Sequence, residues 1–198
     1  MSKAVRELHP REKMILTAED QMRRQGYVAT SLLDVVNRSG VSRGSIYFHF
    51  PGGKEQLAEE ALEHYDGVLA EAVDAAAERS ESAGELVEAI AAHFASTLES
   101  SGYELGCPAV PIAAETVPAT DTLTKACQRT FSRWQEKLEA HFGERGVDAA
   151  SIPGLARLSI AALEGALILS RIERSSEPLC DVGRMVAANL HGAVATPA

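Results

Sequence analysis

Apolar residues recur at helical spacing along almost the whole chain. Met14, Ile15, Ala18 and Met22 mark one face of a segment that opens at Pro10, a residue suited to a first helical turn, and closes at Gly26. Leu57, Ala61, Leu62, Tyr65, Val68, Leu69, Ala72 and Val73 stripe a long helix over 54–79. Leu86, Ile90, Phe94 and Leu98 do the same over 85–100, and Leu123, Ala126, Cys127, Thr130, Phe131, Trp134 and Leu138 over 122–143. Residues 101–121 carry Gly102, Gly106, Pro108, Pro111 and Pro118, which leaves loops and one short helix near 111–116. A last helix is predicted over 178–191, with Leu179, Val182, Met185, Val186 and Leu190. No run alternates as a strand should, so the fold class is all-α.

One segment breaks the amphipathic rule. From Leu155 to Leu169 the chain is apolar nearly all round, so both sides of this helix must be covered. Its own core can cover one side. The small residues Ala156, Ser159, Ala162, Gly165 and Ala166 would let another helix approach on the other. Paired with the last helix, two such helices from each of two chains make a four-helix interface. The expected dimerisation residues are Ala156, Ser159, Ile160, Leu163, Leu167, Val182, Met185, Val186 and Leu190.

Residues 30–57, TSLLDVVNRSGVSRGSIYFHFPGGKEQL, carry the most specific local pattern. Ser31 or Thr30 caps a helix over about 31–38, and Gly40 supplies the left-handed backbone that ends it. Ser42 caps a second helix over 42–48. Val35, Val36, Val41 and Ile46 pack the two on each other, leaving Arg43, Gly44, Ser45, Tyr47 and His49 to face outward. This is a helix-turn-helix whose second helix can enter a DNA major groove. Residues 1–8 precede it as a loose arm with Lys3 and Arg6.

The net charge of −9 at first argues against nucleic acid. Its distribution does not. Residues 1–53 hold eight Lys/Arg against five Asp/Glu, a net +3, and the remainder holds eleven against twenty-three, a net −12. Phosphate contact therefore suits one end only. Cys107, Cys127 and Cys180 lack the spacing of a disulfide framework or zinc site, and the six histidines lack metal-ligand spacing. No cofactor is expected. No nucleophile-base-orienter set and no Gly-rich phosphate loop appears, which disfavours an α-helical enzyme. No signal peptide and no membrane-spanning run is read, so the expected compartment is a reducing cytoplasm.

The motif with its flanks resembles the DNA-binding domain of the TetR family of bacterial transcriptional repressors. The residues that carry the resemblance are Gly26-Tyr27, Thr30-Ser31, Asp34-Val35-Val36, 39–45 (SGVSRGS), 46–50 (IYFHF) and 54–57 (KEQL). Val36 stands where that family usually has Ala, and Pro51-Gly52-Gly53 adds one residue before Lys54. That longer form, with Gly106-Cys107-Pro108 and residues 162–166 (ALEGA), looks like the LmrA/YxaF-like branch. The resemblance implies about nine helices and a homodimer whose heads bind a palindromic double-stranded DNA operator until a small-molecule effector releases it. The division it suggests is a helix-turn-helix domain at 1–53 and a ligand-binding and dimerisation domain at 54–198. No linker separates the two, and the long helix from Lys54 serves both.

The candidate DNA-binding residues are Thr30, Ser31, Ser42, Arg43, Gly44, Ser45, Tyr47, His49 and Lys54. Arg43 and Ser45 are placed to reach base edges, and an Arg–guanine pair contributes roughly 1–3 kcal/mol of discrimination. Thr30, Ser31, Tyr47, His49 and Lys54 suit phosphate contact. Ser31 also reads as a plain helix cap, and His49 as an aromatic packed beside Phe48 and Phe50. Lys54 at a helix N-terminus opposes the dipole, which favours an external anion. The candidate ligand-binding residues are Phe94, Tyr103, Cys107, Phe131, Trp134 and Leu138, with plain core as the alternative. Glu164 is the one acid within the apolar helix. The rival readings are a ligand-independent DNA-binding protein and an activator.

Overall fold

A computed structural model describes residues 8–194. The arm expected at residues 1–8 lies, apart from Leu8, outside them. Among the described residues there are nine helices and no strand, with one isolated bridge between Val147 and Val194. They are α1 (Pro10–Ala29), α2 (Leu32–Ser39), α3 (Ser45–His49), α4 (Gly53–Ala77), α5 (Ala83–Ser100), α6 (Ala109–Thr116), α7 (Asp121–Glu144), α8 (Ile152–Glu173) and α9 (Glu177–Gly192).

The chain condenses into two compact units. One comprises the residues up to Gly67 with Cys107–Thr130; the other comprises Val68–Gly106 with the residues from Phe131 onward. Two of the three boundaries fall inside α4 and α7, so two continuous helices belong in part to each unit. This division by compactness differs from the division by expected role, because α6 and the start of α7 condense with the N-terminal helices.

In the first unit α1 starts at a reciprocal cap, where the His9 amide donates to Glu12 Oε2 (2.9 Å) and the Arg11 amide to His9 Nδ1 (3.4 Å). Met14, Ala18 and Met22 of α1 are buried with Val35, Val36, Ile46, Phe50, Leu57, Ala61 and Leu62. Glu19, itself buried, ties α1 to α4 through His64 Nδ1 (2.6 Å), and the Arg23 guanidinium lies 5.0 Å from the Tyr65 ring centre. At Gly26 the backbone of α1 breaks, with φ 85° and ψ 177°, a region open to little but glycine.

The second unit is knit by α5, α8 and α9. Leu86, Val87, Leu98, Leu163, Leu167, Leu179, Val186 and Leu190 form its core. Helices α5 and α9 come so close at Gly183 that a Cβ there would lie 2.8 Å from Ala91 Cβ. Arg145 donates to the carbonyls of Ala77 (2.7 Å) and Ser80 (3.3 Å), satisfying groups that the end of α4 leaves open. Asp74 of α4 accepts from Lys137 Nζ at 2.6 Å and pairs with His141 Nε2 at 3.2 Å. The Lys137 bond and His141 hold the Asp74 carboxyl below the usual aspartate range, against a smaller opposing effect of burial.

Six of the nine expected dimerisation residues lie inside the protomer. Ala156, Ser159, Leu163, Leu167, Val186 and Leu190 are all at most 5% exposed, so they cannot meet a partner chain in this fold. The outward apolar face of α8 is instead Leu158, Ile168, Leu169 and Ile172, the last 73% exposed, interleaved with exposed Ala161 and Gly165. On α9 Met185 does face outward, at 66% exposure.

Candidate nucleic-acid interface and ligand pocket

The turn of the helix-turn-helix is built as its residue types require. Ser31 caps α2, accepting from the Asp34 amide (3.1 Å) and donating to Asp34 Oδ2 (2.6 Å), and Gly40 ends α2 at φ 70°. The second helix begins three residues later than its Ser42 cap predicts. The Ser45 amide donates to the Ser42 carbonyl (3.0 Å), the two hydroxyls lie 2.6 Å apart, and α3 runs only over Ser45–His49. Arg43 and Gly44 therefore sit in the turn that presents α3, not on the helix.

Burial separates the residues of this segment by role. Ile46 and Phe50 point inward at 4% and 0% exposure, and Tyr47 and Phe48 outward at 67% and 82%. Ser31, Ser42, Arg43 and Gly44 are exposed, and Ser45 and His49 half-buried. The His49 ring stands edge-on to Phe48 (5.0 Å between centres) and to His9 (5.6 Å). Hydroxyls, a guanidinium and imidazoles thus share one surface with an outward phenyl ring, a composition suited to phosphates, base edges and a thymine methyl.

One candidate turns inward, and another is half-exposed with a partner inside the unit. Thr30 is 1% exposed and its hydroxyl donates to the Gly26 carbonyl at 2.8 Å, so it closes the α1–α2 junction instead of facing an outside anion. Lys54 Nζ donates to the Val28 carbonyl at 3.2 Å and lies 4.2 Å from the Tyr27 ring centre. Burial draws the Lys54 ammonium below the ordinary lysine range, and the charge of Glu115 opposes that shift. Phe48 and His9 are the surface residues that the sequence pattern did not single out. An exposed aromatic beside Tyr47 was the available signal for the first; His9 lay too far from the motif to give one.

The second unit holds a partly open pocket between α4, α5, α7 and α8. Leu69, Val73, Val87, Ile90, Leu138 and Leu163 give it aliphatic walls, and Phe94 and Trp134 add rings. Its ionisable lining residues are Lys137, already bonded to Asp74, and Glu164. Three of the six ligand-binding candidates, Phe94, Trp134 and Leu138, therefore meet at one cavity. Tyr103, Cys107 and Phe131 do not line it: Phe131 packs edge-on against Trp134 (5.1 Å), Tyr103 lies under the Arg174 guanidinium (6.0 Å), and Cys107 is buried in the first unit.

Residues 15–61 match the family model for the DNA-binding region of bacterial regulatory proteins of the TetR family. Residues 83–185 match that for the C-terminal domain of LmrA/YxaF-like transcriptional regulators. The chain belongs to the TetR family. Within it, this TetR-family regulator is 29% identical over 180 residues to the HTH-type transcriptional regulator LmrA of Bacillus subtilis, covering 89% of its own chain and 94% of that protein. It is 32% identical over 182 residues to an HTH-type transcriptional regulator of Mycobacterium tuberculosis, covering 89% and 92%. Among solved structures its fold matches a TetR transcriptional regulator from Legionella pneumophila, with a TM-score of 0.82, 22% identity and coverage of 92% and 97%. A TetR regulator from Chloroflexus aurantiacus gives a TM-score of 0.75 at 26% identity, covering 96% and 97%.

For this TetR regulator the exposed segment makes a direct prediction. Arg43→Ala should weaken binding to its own selected site by about 1–3 kcal/mol and relax base preference at one position. Phe48→Ala should lose affinity without changing the salt slope, because the ring carries no charge. Both are read from salt-dependent titrations of wild type and variants; equal salt slopes for R43A and wild type together with unaltered site preference would remove Arg43 from the contact set.

Proposed function

We propose that this regulator is a ligand-responsive repressor that binds a palindromic operator as a homodimer and is released by a small, apolar or aromatic molecule. The observation that carries the ligand part is the pocket. Its walls are almost wholly apolar, and of its ionisable lining groups Lys137 is already ion-paired with Asp74. A neutral molecule that stacks on Phe94 and Trp134 is the chemistry it suits.

The DNA part rests on Ser31, Ser42, Arg43, Gly44, Ser45, Tyr47, His49 and half-exposed Lys54, with Phe48 added; Thr30 acts from within the fold. Dimerisation is assigned to the outward face of α8 with Met185 of α9. That face also accounts for an apolar helix long enough by composition to cross a bilayer, since a second copy would cover what the protomer leaves bare. The protein is read as a cytoplasmic regulator and not as an enzyme, in line with its relatives. Two heads on one palindrome must place their recognition elements about 34–36 Å apart. An effector that prefers another spacing lowers operator affinity by that preference and no more.

Trp134 is the single tryptophan of the chain and lines the pocket, so it reports on occupancy. Neutral aromatic compounds that quench its fluorescence are expected to weaken binding to a duplex selected by the protein from a random pool, and W134F should abolish the optical signal. A tight quencher that leaves duplex affinity unchanged would reduce the second unit to a dimeriser.

A further inference from the structure

From the break in α1 at Gly26 to Thr30, just past its end, the chain is held by several side-chain bonds. Thr30 Oγ1 donates to the Gly26 carbonyl (2.8 Å), the Thr30 amide to Tyr27 (3.1 Å) and Gln25 Nε2 to Ala29 (3.0 Å). The two polar groups of the Val28 backbone go to distant helices. Its carbonyl takes Lys54 Nζ of α4 at 3.2 Å, and its amide donates to Glu115 Oε2 of α6 at 2.5 Å. The other carboxylate oxygen lies only 2.4 Å from where a Cβ on residue 26 would stand. Glycine at 26 thus serves both the unusual backbone and the approach of Glu115.

This junction leads directly into Ser31, the cap of α2, and so sets the entry of the whole DNA-reading segment. We propose that Glu115 is a positioning residue for DNA binding, acting from outside the helix-turn-helix by holding the Val28 amide, on the residue whose carbonyl takes the Lys54 end of α4. The role rests on the DNA-binding reading and adds to it a residue 87 positions away in sequence. Glu115 never touches DNA in this role. Its charge, if it acted at a distance, would only repel phosphate in a chain of net −9.

That sign gives the test its power. Wild type, Glu115→Ala, Glu115→Gln and the charge-matched control Glu63→Ala, an exposed acid elsewhere on α4, are titrated with a labelled duplex that the wild type selects from a random pool. Removal of a negative charge alone should leave binding unchanged or tighten it, as expected for E63A. E115A is expected to bind about tenfold more weakly, on the scale of a lost charge-assisted hydrogen bond. E115Q, which keeps an oxygen for the Val28 amide, should stay within about threefold of wild type. Amide exchange should rise in E115A at residues 26–30 while the buried stretch 57–62 stays protected. E115A behaving like E63A overturns the proposal, and so does exchange that rises throughout the first unit, which would make Glu115 a general stabiliser. A wild type that selects no duplex overturns the DNA reading and this role together, whereas a binding wild type with an unaffected E115A overturns this role alone.

Discussion

Glutamate at both Ile172 and Met185 is expected to leave a monomer that binds its operator on the order of a hundredfold more weakly. Both side chains are largely bare in the protomer, at 73% and 66% exposure, so the change costs the isolated chain little. At a two-fold interface each substitution appears twice, and four carboxylates would be driven into an apolar seam. Operator affinity falls because the second half-site no longer benefits from the first, a gain of about 10²–10⁴ in linked binding. Sedimentation gives the mass and titration the affinity. A variant that stays dimeric places the interface elsewhere on the surface.

The second large effect is in the core of the first unit. Phe50 is fully buried, and the Arg11 guanidinium lies 5.3 Å from its ring centre. Phe50→Ala should cost about 3–5 kcal/mol, the range for deleting a buried phenyl ring. The unit is small and its stability correspondingly limited. DNA binding is therefore expected to vanish under conditions where Trp134 fluorescence still reports a folded pocket. A single unfolding transition, with pocket and head lost together at the same denaturant concentration, would show that the two units fold as one.

The phase of the amphipathic helices was largely legible because their polar faces point to solvent, although Val68 of the predicted α4 stripe is 51% exposed. Met14, Ala18 and Met22, or Leu86, Ile90 and Leu98, are buried as their spacing requires. For α8 that reasoning had nothing to hold on to. A helix apolar on all sides gives no phase, so Ala156, Ser159, Leu163 and Leu167 were as plausible outside as Leu158, Ile168, Leu169 and Ile172. Only packing against α5 and α9 decides between them. Buried Ser159 shows why polarity misleads here: its hydroxyl donates to the Leu155 carbonyl at 2.8 Å and needs no solvent.

The DNA-reading segment was legible for a different reason, since turns need particular residues. Ser31 and Gly40 stand where their chemistry puts them. What escaped was commitment made at long range. Nothing local tells that the Lys54 ammonium returns to the Val28 carbonyl. The late start of α3 is by contrast local: Ser42 bonds Ser45 by both backbone and hydroxyl, tightening the turn before the helix begins.

Helix α8 lines the pocket with Ser159, Ile160, Leu163 and Glu164, while the same turns carry Leu158, Ala161 and Gly165 on the outside. One rod thus separates the pocket from the proposed partner chain by its own diameter of about 10 Å. A guest that rolls or shifts this rod must change how tightly two copies hold each other. By reciprocity, a copy already held must change how well the guest fits. Guest affinity would then depend on protein concentration, so dilution alone would retune the proposed response.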